Sequence, residues 1–454
     1  MITLLRKCSS WELKDWLLVA YLLALPIMDY ALCTIQSRVV LFSDLIFVGL
    51  ASVYAWELIL RAKTISLDSL DYAGLIMLIL FSFSLIFSAY RAQGIVELAA
   101  LGYLYLLFVI VRRVVTSSEK LIALLAVWVT AALLVSFIGL AAFAYAYFSG
   151  NIAGNRFLFY TPIEAMAHHF PRIDSTFINA NMFLSYLHVA ICAAVILYLR
   201  SLRAKARMRF FLAAIIAILI ITAFLTGSRR FTGLLLSLFL ISLWHLKGRM
   251  SQLARVLTFT GFILFFTASI VTTIWAIFPL SVTHDSQQQM VTIKAYTSYS
   301  LHMLPLAAAF TMAAQHPFLG VGLGAFNREF SRYVDWEWVK RSFGFEAYPQ
   351  CVAAVNNHTL NLDPHSVYFG SLAETGIVGF AGLLLFLGCA LIFFVRAFKK
   401  HQPDGERAII SGCMLACLCG FLLNAVTLDV LTMRHFWLLL ALPLAALESE
   451  RQAV

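Results

Sequence analysis

Charged residues are scarce in this chain of 454 residues. They make up 12% of the sequence, against about a quarter in soluble domains, and hydrophobic residues make up 62%. A soluble fold does not accommodate so large an excess of hydrophobic residues. Apolar runs of about 20 residues, the length that crosses the hydrocarbon core of a bilayer, recur from one end of the chain to the other. The composition therefore predicts an all-α, polytopic integral membrane protein.

The apolar runs predict about twelve transmembrane helices. The first run follows Arg6, Lys7 and Lys14, as in a secretory signal. It lacks a small-residue cleavage site and another run follows at once, so we interpret it as a retained helix. The predicted spans are 16–32, 39–60, 71–89, 94–114, 120–148, 179–199, 209–226, 231–246, 255–279, 366–395, 407–427 and 433–447.

The lysines and arginines predict the orientation of these spans. The net charge of +10 is distributed in short clusters between apolar runs, which indicates topology and does not indicate a nucleic-acid partner. If both termini are cytoplasmic, the larger share of the 33 basic residues lies beside cytoplasmic span ends, as expected for inner loops. The sequence thus predicts a multi-pass protein with both termini in the cytoplasm.

Two long connections, 149–178 and 280–365, then fall on the outer side, and loops of that length are usually functional. The second contains an apolar stretch, 299–315, that is interrupted by Pro305 and too short to span. We expect it to lie along the outer interface. Residues 1–454 are therefore predicted to form a single membrane domain with an outer helical cap.

The eight cysteines show no functional spacing. They form neither a disulfide framework nor a metal-ligand motif along the chain, so we interpret them as packing residues. Five of them lie within apolar runs, namely Cys192, Cys389, Cys413, Cys417 and Cys419.

Topology does not explain arginines on the outer side, because basic residues near span ends are expected in the cytoplasm, so these arginines need another role. A guanidinium fork suits phosphate and diphosphate oxygens, although any single arginine can instead contact lipid headgroups. Arg229 stands in a very short connection and Arg172 lies just ahead of the sixth span, so both are predicted at the depth of a lipid-linked diphosphate. The full outer set is Arg38, Arg91, Arg156, Arg172, Arg229, Arg230, Arg328, Arg332, Arg341 and Arg434.

His365 is the candidate general base. It follows Asp363-Pro364 at the start of the tenth span, and a histidine can accept a proton from a hydroxyl near neutral pH. The alternative is a helix-capping or interface histidine.

Other polar motifs are weaker. Residues 320–324 carry three glycines but no P-loop lysine, which favours a tight turn. Asp335 and Glu337 offer two carboxylates to a divalent cation, but they also fit a solvated loop.

Three acidic residues in the spans, Asp29, Asp44 and Glu97, lie within about two turns of the outer boundary. They are therefore expected to join an outer site. A transporter would be expected to place its polar residues nearer the midplane, as His188 is.

Four segments resemble motifs of the O-antigen ligase superfamily, a family of multi-pass bacterial glycosyltransferases. They are Arg172 through Asn181, Gly227-Ser228-Arg229, His316 through Gly322, and His365-Ser366 followed by Gly376 and Gly379. The last is similar to the histidine signature of the lipopolysaccharide ligase branch. Two positions depart from the pattern: Ala180 stands where many members have proline, and Arg230-Phe231 replaces small residues. O-antigen polymerases and protein O-oligosaccharyltransferases share this layout.

The resemblance implies transfer of O-antigen glycan from undecaprenyl diphosphate to a hydroxyl of the lipid A core, at the periplasmic face of the bacterial inner membrane. It implies that His365 is the general base and that Arg172 and Arg229 hold the diphosphate, with Arg156 and Arg328 as secondary phosphate contacts. Such electrostatic work needs no metal and no cofactor. The implied partners are the lipid-linked donor, the lipid A core acceptor and the bilayer. The alternatives are a polysaccharide polymerase of the same superfamily and a lipid or glycan transporter.

Overall fold

The computed structural model describes residues 11–35, 38–61, 67–149, 155–159, 171–202, 206–246, 263, 297–334, 364–400 and 405–448. These residues are mostly helical, which confirms the helical class predicted from composition. The main helices are α1 (Leu13–Ala24), α2 (Phe42–Arg61), α3 (Ser69–Phe83), α4 (Arg91–Val114), α5 (Ser118–Ser149), α6 (Ala180–Ser201), α7 (Ala206–Leu225), α8 (Phe231–Leu246), α9 (Thr297–Gln315), α10 (Phe326–Glu329), α11 (Val367–Lys400), α12 (Glu406–Asn424) and α13 (Arg434–Glu448).

Among the described residues, 7 helices are long and apolar enough to cross a membrane, so the chain is a multi-pass membrane protein. They are α2, α4, α5, α6, α7, α11 and α12, while α3 and α8 are shorter apolar helices. Helices occupy part of the other eleven predicted spans, and span 255–279 lies outside the described residues apart from Ile263. The total of twelve spans and the outer cap stay predictions.

Two short antiparallel hairpins depart from the all-α expectation. Strand β1 (Ala31–Ile35) pairs with β2 (Arg38–Leu41), and β3 (Leu158–Phe159) pairs with β4 (Arg172–Ile173). Helix α1 ends at Ala24, close to Pro26, which lacks the backbone donor that a continuing helix requires. The residues that follow are rich in β-branched side chains, which favour extended backbone. The first hairpin thus replaces the expected end of the first span.

Helix α11 is broken at Gly376, which has φ +61° and ψ −166°. A break of this kind leaves backbone groups without their helical partners, and such groups are costly in a membrane. The loop at 317–322 supplies the missing partners, and we call this arrangement the backbone clasp. Its four hydrogen bonds run from Val321 N to Ala373 O (3.0 Å), Gly322 N to Glu374 O (2.9 Å), Ile377 N to Pro317 O (2.8 Å) and Val378 N to Phe318 O (3.2 Å).

Glycines make the backbone clasp possible. Gly320, Gly322 and Gly324 all have positive φ, which confirms the tight turn predicted for residues 320–324. A Cβ atom on Gly376 would lie 2.3 Å from the carbonyl group of Phe318. The clasp therefore requires glycine at this break both for its dihedral angle and for the close approach of the loop.

Replacing Gly376 by alanine is expected to lower the unfolding temperature in detergent. The left-handed backbone costs roughly 1–2 kcal/mol for a residue with a Cβ, and the clash with Phe318 adds roughly 1–3 kcal/mol. Gly388→Ala in the same helix is the control, because a Cβ there meets nothing within 4 Å. Equal unfolding temperatures for the two variants would contradict the role of the clasp.

Candidate active site

One end of the helix bundle gathers the connections that carry the predicted site residues. Backbone amides of Met28 and Asp29, just after α1, donate to the carbonyl of Thr176 (3.0 and 3.1 Å). The amide of Leu323 donates to the Ser84 hydroxyl (3.1 Å) at the end of α3. These contacts hold together connections that are far apart in the sequence.

Arg172 lies in β4, half-buried, ahead of α6. Its Nε donates to the carbonyl of Thr226 (2.7 Å), and a terminal nitrogen donates to Oδ1 of Asn181 (3.2 Å). The Ser228 hydroxyl donates to the same Oδ1 (2.7 Å). Asn181 therefore joins two of the predicted motif segments, the one that begins at Arg172 and the one between α7 and α8.

The turn between α7 and α8 is shaped to receive the Arg172 side chain. Gly227 has φ +58°, and a Cβ on it would lie 3.3 Å from Cγ and 3.4 Å from Nε of Arg172. Arg172 thus packs over the glycine two residues before Arg229, whose own side chain is exposed. The structure brings these two predicted arginines together.

The electrostatics of this pair favour an anion. Burial, together with the positive charge of Arg229, lowers the pKa of Arg172 from its ordinary value, and only the nearby Asp174 acts in the opposite sense. Two guanidinium groups that repel each other in a partly desolvated place are stabilised when a negatively charged group binds between them.

Asp174 sits two residues after Arg172 and is buried. Burial raises the pKa of its carboxyl to about 7, and the charge of Asp29 contributes in the same direction. Its Oδ1 has no hydrogen-bond partner among the described residues. The carboxyl is therefore a titrating group near neutral pH, next to the arginine pair.

Asp174 is expected to make the protein less stable as the pH rises from about 4 to about 7. The carboxyl pKa is higher in the folded chain than in the unfolded chain, so folding favours the protonated form and this contribution is lost as the group ionises. In Asp174→Asn the unfolding temperature should depend less on pH over this interval. An identical pH dependence in the wild type and the variant would contradict the assignment.

His365 lies immediately before α11 and has φ +49°, a left-handed conformation that is uncommon for a non-glycine residue. Ser366 caps the helix, since its hydroxyl accepts from the amide of Phe369 (3.3 Å). A Cβ on Gly370 would lie 2.8 Å from the ring of Pro364, so this glycine lets the preceding turn fold back on the helix. His365 is thus held at the start of α11 by local geometry.

The connection between α12 and α13 links the histidine to the arginine pair. The Val367 amide donates to the carbonyls of Ala425 (3.1 Å) and Leu428 (3.3 Å). The guanidinium of Arg230, the neighbour of Arg229, donates to the carbonyl of Thr427. Residues 425–428 therefore contact the start of α11 next to His365, and they also contact Arg230 next to Arg229.

A cavity of about 240 Å³ opens beside the start of α11. Arg38 lies in it next to three carboxylates that raise its pKa against the lowering effect of burial, with Glu97 the main contributor. The polar lining favours a ligand rich in hydroxyl groups. The polar lining residues are Arg38, Gln93, Glu97, Asn327, Ser366, Ser371, Glu374, Asp429 and Thr432.

The two secondary phosphate candidates lie elsewhere on this end of the bundle. Arg156 is exposed and forms an ion pair with Asp29 (2.5 Å), with its guanidinium 4.6 Å from the ring centroid of Tyr30. Arg328 donates to Oε1 of Gln93 (2.9 Å), which lines the cavity. The structure therefore places Arg328 at the cavity, and Arg156 against the connection that follows α1.

The three carboxylates expected to join an outer site each pair with an arginine of the outer set. Asp29 pairs with Arg156, Glu97 with Arg38, and Asp44 with Arg434 at 2.7 Å. Each of these three arginines therefore has a carboxylate partner, and the hydrogen bonds of Arg172 to Thr226 and Asn181 go to neutral oxygens.

Some predicted features lie outside the described residues, namely Asp335, Glu337 and Arg341. Sequence reasoning missed Glu374, Asp429 and the 425–428 support. One signal in the sequence could have found Asp429: it is an acidic residue in a chain with few charges, and it lies in the short connection between two predicted spans.

The family comparison agrees with this geometry. A family model described as O-Antigen ligase matches residues 214–384, which include Arg229, the backbone clasp and His365. Arg172 lies ahead of the matched range. No curated protein gives a match to the chain. Members of the matched family are glycosyltransferase-like enzymes. The match confirms the resemblance drawn from the motifs: residues 214–384 of this multi-pass membrane protein are similar to the O-antigen ligase superfamily.

Proposed function

We propose that this protein ligates O-antigen glycan, carried on undecaprenyl diphosphate, to a hydroxyl of the lipid A core. The observation that carries the proposal is the convergence of Arg172 and Arg229 at the turn after α7. Residues 425–428 contact the neighbour of each half of the site, Arg230 beside Arg229 and Val367 two residues after His365. The arginine pair is proposed to bind the diphosphate, and His365 is proposed to act as the base. The site is proposed to face the periplasm of the bacterial inner membrane, with both termini cytoplasmic.

The proposed reaction breaks the bond between the sugar C1 and the diphosphate oxygen. The acceptor oxygen forms a new bond to C1 and gives its proton to His365, while the electron pair of the broken bond stays with the diphosphate. Arg172 and Arg229 stabilise the charge that develops there, which is work that fixed cations perform without a metal. Undecaprenyl diphosphate and glycosylated lipid A core are the products.

The cavity beside α11 is proposed to hold the acceptor sugar. Its carboxylates and amides offer hydrogen bonds to hydroxyl groups, and its negative charge disfavours the donor diphosphate. Cations at the turn after α7 would thus favour the donor diphosphate, and carboxylates in the cavity would favour the acceptor sugar. Arg328 at the cavity is the secondary candidate for a phosphate of the lipid A core, and Arg156 is a further one for the donor.

Purified protein in liposomes, supplied with lipid-linked glycan and lipid A core, tests the proposal. Glycan joined to the lipid A core supports ligation. Lengthened lipid-linked chains without core glycosylation would instead make the protein a polymerase, and glycan movement across the bilayer without a new bond would make it a transporter. Either of those results overturns the proposed ligation.

A further inference from the structure

A cluster of one histidine and two cysteines lies inside the helix bundle. A ring nitrogen of His188 and the Sγ atoms of Cys192 and Cys417 lie within 4.8 Å of one another, and all three residues have 0% exposure. His188 and Cys192 are four residues apart on α6, so they share one face of that helix, and Cys417 comes from α12. The ligand types are the nitrogen and sulfur donors that Zn²⁺ prefers.

His188 forms a hydrogen bond to Ser237 through Nε2 (2.8 Å). The Ser237 hydroxyl has a single proton and also lies within hydrogen-bond distance of the carbonyls of Ala416 (2.8 Å) and Gly233 (3.1 Å). When the hydroxyl donates to one of these carbonyls, it accepts from Nε2. In that tautomer Nδ1 carries the lone pair.

Nδ1 of His188 is buried and has no hydrogen-bond partner among the described residues. The Cys192 thiol interacts with His188, and a thiol is a weak hydrogen-bond donor, so the nitrogen has no strong partner among the described residues. Metal-bound histidines characteristically donate their other ring N–H to a neighbouring oxygen, and Ser237 offers such an oxygen to Nε2. The surroundings of His188 therefore match those of a metal ligand.

Charge favours zinc over copper(I) at this cluster. Two thiolates and Zn²⁺ form a neutral unit with a neutral imidazole, whereas two thiolates and Cu⁺ leave a net negative charge that is costly in the bundle interior. Zinc lies about 2.3 Å from thiolates and about 2.0–2.1 Å from imidazole nitrogen. Reaching these distances from the observed cluster takes a contraction of about 1 Å by side-chain rotation.

We infer that His188, Cys192 and Cys417 form a zinc site with three protein ligands that joins α6 to α12. Binding releases the two thiol protons and leaves the ion neutralised by the two sulfurs. Helix α12 leads into residues 425–428, which accept hydrogen bonds from Arg230 and from the amide of Val367, two residues after His365. The zinc site therefore stabilises the packing of the helices that support the proposed active site, and it takes no part in the transfer step.

Metal analysis of the full-length protein, purified in detergent without chelators from cells grown with added zinc, tests this inference. We expect about one zinc ion per chain in the wild type. The Cys192→Ser and Cys417→Ser variants should each retain less than about a tenth of that amount. Protein prepared with cobalt instead should show thiolate-to-cobalt absorption in the near ultraviolet, and this absorption should be absent from both variants.

Cys413→Ser is the matched control. Cys413 is also buried on α12, one helical turn before Cys417, so its replacement is as disruptive to packing, but it is not part of the cluster. This variant should keep its zinc. Size-exclusion elution and the unfolding temperature of each variant separate metal loss from misfolding. Wild-type protein without zinc, protein loaded with copper, a Cys192–Cys417 disulfide, or equal metal loss in Cys413→Ser would overturn the inference.

Discussion

Replacing His365 by alanine is expected to lower kcat for glycan transfer by about 10²- to 10⁴-fold, the usual contribution of a general base. The acceptor hydroxyl would then have to lose its proton to water. The left-handed backbone at this position favours residues such as asparagine over alanine. His365→Asn therefore keeps the backbone conformation while removing the basic nitrogen, and it should lose as much activity as His365→Ala.

The control for the histidine is His245→Ala. His245 lies in the last turn of α8, away from the turn that opens this helix at Phe231, and its replacement should leave kcat unchanged. Initial rates of transfer to the lipid A core, measured at saturating donor and acceptor, give the comparison. Full activity in His365→Asn would remove this residue from the mechanism.

Replacing Arg229 by alanine is expected to lower kcat by about 10²- to 10³-fold, the cost of removing one preorganised group that stabilises developing charge. The side chain is exposed, so the unfolding temperature should change little. Arg229→Lys should recover part of the rate, since it keeps the charge but loses the bidentate fork. Measurement of kcat and KM for the lipid-linked donor separates charge stabilisation from simple binding.

Arg172→Ala should lose a similar share of the rate and also lower the unfolding temperature, because Arg172 is half-buried and joins Thr226 and Asn181. Arg91→Ala is the control, since Arg91 is exposed at the same end of the bundle and donates to the carbonyl of Ile86 (2.8 Å). A tenfold or greater loss in this control would indicate a general charge effect. Unchanged kcat in Arg229→Ala would contradict the proposed diphosphate contact.

Much of the helical architecture was predictable because the length of an apolar run can be read directly from the local sequence. Eleven of the described helices begin within four residues of a predicted span start, since charged residues mark those boundaries. The hairpin at Ala31–Leu41 was missed because short β-branched runs next to an apolar helix have no distinct hydrophobic period.

The site was predictable in its residues but not in its connections. Sequence reasoning singled out Arg172, Arg229 and His365, and the structure gathers their segments at one end of the bundle. That Asp29 would pair with Arg156 depends on long-range packing, which composition does not encode. The same holds for Cys192 and Cys417, which look scattered along the chain and meet only when α6 packs on α12.

The backbone clasp has a consequence for how the protein is assembled. Its two partners are separated in the chain, and the earlier one, at 317–322, enters the nascent protein well before the break at Gly376 is made. Until the two meet, α11 has open carbonyl groups before Gly376 and open amide groups after it, which lipid cannot satisfy. We therefore expect His365, at the start of α11, to reach its final position only after α11 has been synthesised and the loop at 317–322 has closed on it.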